Sequence, residues 1–476
     1  MADLNLILPE TALLALICLV LLFDVFQARS SDRAGTFWLA IASLLIVLAL
    51  TAQGFHDTRT VGMNGMFVAD PMATVLKVFA LTSAVFAFFY ARDYFERRKS
   101  AVGEYYVLGL TAILGMMLLI SAGNLLTVYL GLELMSLSLY ALVALQRDSA
   151  AASEAAMKYF VLGALASGML LYGMSILYGV TGTLNLADLS AAALGSGGKL
   201  FVFGLVFILA GIAFKLAVVP FHMWVPDVYQ GAATPVTLFI GTAPKIAAVA
   251  MAIRLLVEGL GPLHGEWQEM LAVLALASMA TGNVLAIAQT NIKRMLAYST
   301  IAHMGFMLLG ILSASAEGYA ASMFYAVVYA LMGLGAFGAV ILISQGTTDR
   351  EELNDFAGFA RVSPWFGLIV LIVMFSLAGV PPFAGFWAKW FVIKEAIAAG
   401  YLWLAVAAVV FSVIGAFYYI RVVKLMYFDA PSGSIEVEAG KDMRYVLSIN
   451  GLAILALGLM PGALMSMCTA AALLLD

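Results

Sequence analysis

Residues 204–224 read GLVFILAGIAFKLAVVPFHMW. Lys215 stands more than ten apolar residues deep in this run and one helical turn before Pro220. A charge held at mid-bilayer costs about 3 kcal/mol or more, so such a lysine is kept for a use. A proline at this point removes a backbone hydrogen bond and breaks a helix. The plain alternative is a helix that ends at its proline, but Lys215 just before it favours a break. Broken helices at membrane depth occur where they are buried in protein or line a wet cavity. Residues 375–389 read FSLAGVPPFAGFWAK and repeat these elements, with Pro381, Pro382 and Lys389. Both stretches place Leu-Ala and a Pro-Phe pair in or beside a lysine-bearing apolar run. They lie five spans apart and so cross in opposite directions, the mark of an inverted repeat.

Composition frames these stretches. Apolar residues make up 64% of 476 and charged residues 11%, with mean hydropathy +1.02. A soluble domain is nearer half apolar and a quarter charged. At about 20 residues per crossing, the chain holds roughly 14 spans, near 7–26, 35–54, 68–90, 105–122, 124–145, 157–179, 200–222, 234–257, 269–288, 294–312, 318–344, 363–381, 383–427 (a short piece plus a full span) and 445–466. The expected fold is an all-α polytopic membrane protein with about 14 transmembrane helices and two inverted five-helix repeats containing broken helices. Residues 1–104 hold three leading helices, 105–257 the first repeat, 258–428 the second, and 429–476 a loop and last helix. Pro244, directly before Lys245, is a further candidate kink.

Several chemistries are disfavoured. Asp3 stands where a cleavable signal needs basic residues, and the run to Phe26 is long enough to span, so the first helix is read as retained. Cys18 and Cys468 are far apart and offer no iron–sulfur or zinc set. No two histidines have ligand spacing, so no metal is expected. Gly333, Gly335 and Gly338 match G-x-G-x-x-G, but no strand precedes them, and close helix packing explains them better. The polar stretches 346–362 and 429–444 fall on the expected inner side. With the N-terminus outside, inner loops carry Arg29, Arg33, Arg92, Arg97, Arg98, Lys99, Arg147, Lys293, Arg294, Arg350, Arg361, Lys424, Lys441 and Arg444. Outer loops carry only Arg59 and Lys199. Cytoplasmic loops favour Lys and Arg, so both termini are expected outside.

Titratable residues inside the spans are the candidates for chemistry. Glu133 lies nine residues from Asn124 and thirteen from Gln146, near mid-span. Lys245 and Lys389 share the logic of Lys215. Lys158 follows Glu154 by four residues, the favourable order for a helical ion pair; it either snorkels to the inner surface or stands beside Glu133. His222 lies seven residues after Lys215 and would share its face if the helix continued. His303 lies about 15 Å along its helix from Lys293. Relay and simple packing both fit the two histidines. Asp70 and Lys77 could pair across two turns. A file of such groups is what a proton path needs.

Four segments carry a family resemblance: GLELMSLSLYALVAL (131–145), AAMKYFVLGALASGMLLYGMSILYGVTGT (155–183), FKLAVVPFHMWVPDVYQGAATPVTLFIGTAPKIAAV (214–249) and NIKRMLAYSTIAHMGF (291–306). They resemble the proton-translocating antiporter-like subunits of respiratory complex I (NADH:quinone oxidoreductase) and the related multi-subunit cation/proton antiporters. The resemblance covers at least 105–425. The first two segments, with no long C-terminal extension, are most similar to the N-type subunits of complex I. Lys389 stands where one sibling type carries glutamate.

The resemblance implies that Glu133 pairs with a lysine and couples to a neighbouring subunit. It implies that Lys215 is central, Lys245 connecting and Lys389 at the exit, with Lys158, His222 and His303 on the same axis. Lys77 falls outside this pattern. The implied setting is a bacterial inner membrane among other complex I membrane subunits. NADH, FMN, iron–sulfur clusters and quinone would bind partner subunits, and no cofactor this chain. Three rivals remain: a sodium/proton antiporter subunit, a solute carrier and a structural scaffold.

Overall fold

A computed structural model describes residues 2–27, 34–54, 58–98, 103–196, 198–344, 349–431 and 439–475. Arg29, Arg33, Lys99 and parts of the two polar stretches (346–348 and 432–438) lie outside the described residues. Long apolar helices dominate. Six lead the chain: α1 (Leu8–Gln27), α2 (Ala34–Gln53), α3 (Pro71–Arg98), α4 (Gly103–Ile120), α5 (Leu125–Val143) and α6 (Ala150–Thr181). The seventh crossing is split into α7 (Lys199–Leu216) and α8 (Trp224–Gly231), and the eighth into α9 (Thr234–Ile240) and α10 (Ala243–Ile253). Then come α11 (His264–Ile287), α12 (Ile292–Leu312) and α13 (Ala316–Ile343). A split crossing follows, α14 (Pro364–Ala378) and α15 (Ala384–Ala398), then α16 (Leu402–Phe428), α17 (Lys441–Leu459) and α18 (Pro461–Ala472). Thirteen described helical stretches are long and apolar enough to cross a membrane. The α14–α15 pair brings the crossings to the expected fourteen.

Helix starts follow side-chain capping. Asn124, Ser149, Asn291 and Ser315 each accept a hydrogen bond from a backbone N–H of the first turn that has no partner within the helix. The two breaks follow one recipe. At the end of α7, Ala217 is left-handed (φ 69°), and the N–H of Val218 closes onto the Ala213 carbonyl at 2.9 Å. At the end of α14, Gly379 is left-handed (φ 86°), and the N–H of Val380 closes onto Phe375 at 3.0 Å. Such closures end helices while satisfying their last carbonyls. The Val219–Pro220 and Pro381–Pro382 peptides are both cis. The N–H groups freed by the breaks also find partners. Val219 donates to Ser278 Oγ (2.9 Å) and Gly385 to Ser376 Oγ (3.0 Å).

Helices α12 and α13 are almost wholly enclosed, whereas α1, α16 and α17 expose most of their length to the surroundings. Gly333, Gly335 and Gly338 serve close packing. A Cβ on them would meet Thr242, Val373 and Tyr90, respectively, at 2.9, 2.7 and 2.8 Å.

Four details depart from the sequence reading. A small antiparallel hairpin, Thr60–Gly62 with Phe67–Ala69, precedes α3. Asp70 and Lys77 do not pair. Lys77 donates to Glu10 at 2.6 Å, while Asp70 faces Arg254 at 2.7 Å and caps α3 through the Ala73 N–H. The helix does not continue to His222, because α7 ends at Leu216, so His222 shares no helical face with Lys215. Finally, the last crossing is interrupted at Met460, where α17 stops and α18 begins. Its Gly458 lies against the α14–α15 break, so close that a Cβ there would run into the Pro382 carbonyl.

Candidate functional site

The breaks place the buried lysines. Lys215 occupies the last turn of α7, and its ammonium donates to Ser136 Oγ at 2.7 Å. It also lies 5.8 Å from the Tyr140 ring centre and 5.4 Å from that of Phe214. Ser136 stands three residues from Glu133 on α5. The half-buried Glu133 is within electrostatic reach of Lys215 but forms no direct ion pair with it, and its Oε1 is buried without a hydrogen-bond partner. The link between the expected pair therefore runs through one turn of α5.

Lys245 follows Pro244 at the start of α10 and is 2% exposed. Its ammonium donates to the main-chain carbonyl of Lys215 at 3.0 Å and lies 5.3 Å from the Trp224 ring centre. Lys389 does the same at the second break. It donates to the Ala378 carbonyl, the last of α14, at 2.9 Å, and to Ser412 Oγ at 2.9 Å. The C-terminal end of a helix carries unpaired carbonyls and partial negative charge, which suits an ammonium group.

His303 is enclosed in α12. Its Nδ1 meets the Tyr325 hydroxyl at 2.7 Å and its Nε2 the Tyr419 hydroxyl at 3.1 Å. Tyr419 also bonds Ser299, and Tyr329 donates to Thr300 at 2.7 Å. Lys389 lies within electrostatic reach of this imidazole. Tyr325, His303, Tyr419 and Ser299 form one hydrogen-bonded chain, and Tyr329, bonded to Thr300, lies beside the imidazole at 5.3 Å between ring centres.

The two remaining candidates lie elsewhere. Lys158 is at the protein surface, paired with Glu154 (2.9 Å) and Asp227 (2.7 Å). His222 sits in the link between α7 and α8, half-buried, with its Nδ1 unpartnered. Cys18 and Cys468 are unpaired, and no group of three or more possible metal ligands occurs among the described residues.

Sequence reading overlooked several charges. Arg254 is fully buried and bonded to Asp70 and Glu258, and Glu258 also pairs with Arg59 at 2.8 Å. Lys293, counted among the inner-loop cations, is 1% exposed and donates to the Ala232 carbonyl and to Glu351, both at 2.7 Å. Asp227 bridges Lys158 and Arg294. Arg254 lay inside the expected eighth span, so the signal that marked the lysines marked it too. Asp227 and Glu351 gave no such signal, because their partners are remote in sequence.

Residues 122–415 match the family model described as NADH:quinone oxidoreductase/Mrp antiporter, TM. The chain is 54% identical to NADH-quinone oxidoreductase subunit N of Thioalkalivibrio sulfidiphilus, over 98% of this chain and 97% of that one. The chain belongs to the NADH-quinone oxidoreductase subunit N family. The corresponding subunit N of Thiobacillus denitrificans is 53% identical, over 98% and 96%. Among solved structures, a chain of respiratory complex I from Thermus thermophilus with bound Aureothin is 34% identical (TM-score 0.85, covering 97% of this chain and 100% of that one). The Mrp complex from Dietzia is also similar (TM-score 0.84, covering 97% of each chain), but at 22% identity the likeness is one of fold. The subunit N reading therefore prevails over the antiporter alternative.

Proposed function

We propose that this chain is a membrane-arm subunit of proton-pumping NADH:quinone oxidoreductase, moving protons across the membrane while quinone is reduced elsewhere in the complex. Its family membership supports this, and so does the close likeness to a complex I chain. Partners are other complex I membrane subunits, while NADH, FMN, iron–sulfur clusters and quinone bind partner subunits and not this chain. The setting is a bacterial inner membrane, with both termini on the outer side.

Glu133, Lys215, Lys245 and Lys389 are the proton-carrying residues, with Lys158, His222 and His303 as further polar positions. One observation carries this reading: two buried ammonium groups, Lys245 and Lys389, sit on the broken ends of α7 and α14, the first on the carbonyl of a third buried lysine. A change of charge at Glu133 alters the field at Lys215, because nearby charges govern whether a buried group keeps its proton. A proton leaving Lys215 passes to Lys245 and then, along the hydrogen-bonded chain at His303, to Lys389 and outward. The matching breaks also support two inverted halves, 105–257 and 258–428, between leading helices 1–104 and a closing segment 429–476.

The test uses inverted membrane vesicles bearing Glu133→Ala or Lys215→Ala. NADH oxidation and proton uptake are recorded together. Loss of uptake with an assembled complex is expected. Wild-type uptake per electron in both variants would refute the path.

A further inference from the structure

The second half of the seventh crossing, α8, is held by contacts that the path above does not use. Asp227, in its first turn, accepts from Lys158 of α6 at 2.7 Å and from Arg294 of α12 at 2.8 Å. Arg294 also reaches Gln230 of α8 at 3.2 Å, and Lys293 donates to the Ala232 carbonyl just past the end of α8. Lys293 is paired in turn with Glu351, and Lys158 with Glu154. Glu154, Lys158, Asp227, Gln230 and Glu351 line an open polar cleft between α6 and α8.

One turn before Asp227, the same half-helix carries Trp224. Its ring stacks on Tyr159 at 4.4 Å, and Tyr159 is the residue after Lys158. Its Nε1 donates to the Phe214 carbonyl across the break at 3.3 Å. The Phe214 ring lies 5.4 Å away, and the Lys245 ammonium 5.3 Å from the indole ring centre. Successive residues of α6 therefore grip the first turn of α8 at two points, one by charge at the cleft and one by stacking beside Lys245.

We infer that Asp227 is a positioning residue for proton transfer: bridged to Lys158 and Arg294, it seats α8 so that Trp224 stays over the Lys245 ammonium. This rests on the proton path proposed above. A cation over an aromatic face is attracted to it, the more so away from water. Displacing the ring changes the surroundings of Lys245 without touching a proton carrier. The three side chains at the cleft are 43%, 32% and 30% exposed for Lys158, Asp227 and Arg294. Ion pairs this wet are exchanged at little cost. The seat therefore loosens when charge at the cleft changes, and that change is felt at Lys245 one helical turn away.

The experiment uses vesicles holding the intact complex, with Asp227→Asn, Asp227→Glu, the double variant Lys158→Met/Arg294→Met, and Lys215→Ala as reference. Assembly is read from NADH oxidation with an artificial acceptor. Asp227→Asn should keep that activity and slow proton uptake at least fivefold, while Asp227→Glu restores most of the rate. The double variant should match Asp227→Asn, and adding Asp227→Asn to it should cost nothing more. Normal uptake in Asp227→Asn, or a further loss on adding it to the double variant, overturns the inference. If Asp227→Asn does not assemble, the double variant decides, and normal uptake there also overturns it. Failure of the underlying path is recognised separately, because Lys215→Ala would then pump normally.

Discussion

The Lys245 ammonium closes the broken end of the helix that carries Lys215, by a 3.0 Å hydrogen bond to the carbonyl of Lys215 itself. Two buried ammonium groups so linked repel when both are charged. A proton gained by one therefore favours release by the other, which is the behaviour a relay requires.

Lys245→Arg separates structure from transfer. Arginine keeps a donor for the Lys215 carbonyl but does not give up its proton. We expect an assembled complex whose proton uptake is nearly abolished. Lys245→Met should lose uptake as well and also lower the amount of assembled complex, read on native gels. Uptake at the wild-type rate in the arginine variant would remove Lys245 from the path.

Ser136→Ala removes the hydroxyl that accepts from Lys215. Hydrogen bonds to charged groups contribute about 1.5–3 kcal/mol. Uptake should slow by roughly tenfold on that scale, with Ser136→Thr close to wild type. An unchanged rate in Ser136→Ala would mean that Lys215 does not lean on Ser136 while working.

Tyr325→Phe and Tyr419→Phe each leave one nitrogen of His303 without its partner. An orphaned buried polar group costs about 1–3 kcal/mol. Each variant should lose several-fold in uptake, and the double variant should fall short of the product of the two losses, since both act through one ring. Fully independent effects would argue that the tyrosines serve packing alone.

Arg254→Leu takes the buried cation from Asp70 and leaves Glu258 with Arg59 alone. Breaking a buried ion pair costs about 3–5 kcal/mol. The expected result is less assembled complex and earlier thermal inactivation, with near-normal uptake per electron in what remains. A loss of pumping without loss of stability would instead assign Arg254 a part in transport.

Much of this was legible in the sequence. Lys215, Lys245 and Lys389 stood out because charge inside an apolar run is costly, and the prolines beside two of them located the breaks. The partners were not legible. Ser136, Tyr419 and the Ala378 carbonyl come from other helices, and no periodicity along one helix reports them. The expected Asp70–Lys77 pair shows the same limit. Spacing allowed it, yet Glu10 and Arg254, 67 and 184 residues away, took the partners. Lys158 was rightly matched to Glu154 but owes its second contact to Asp227, placed there only because α8 turns away after the break.

The contact between Gly458 and the α14–α15 break bears on the order in which the molecule is made. The Trp387 Nε1 donates to the Gly458 carbonyl at 2.8 Å, so the wall beside Lys389 is built partly from residues synthesised some seventy positions later. Until those residues are made, the break lacks the carbonyl that Trp387 bonds. The earlier break, sealed by Ser278 and Trp224, closes well before. In chain order, the Lys215 break therefore has its partners by residue 278, whereas the Lys389 break gains its Gly458 wall only with α17.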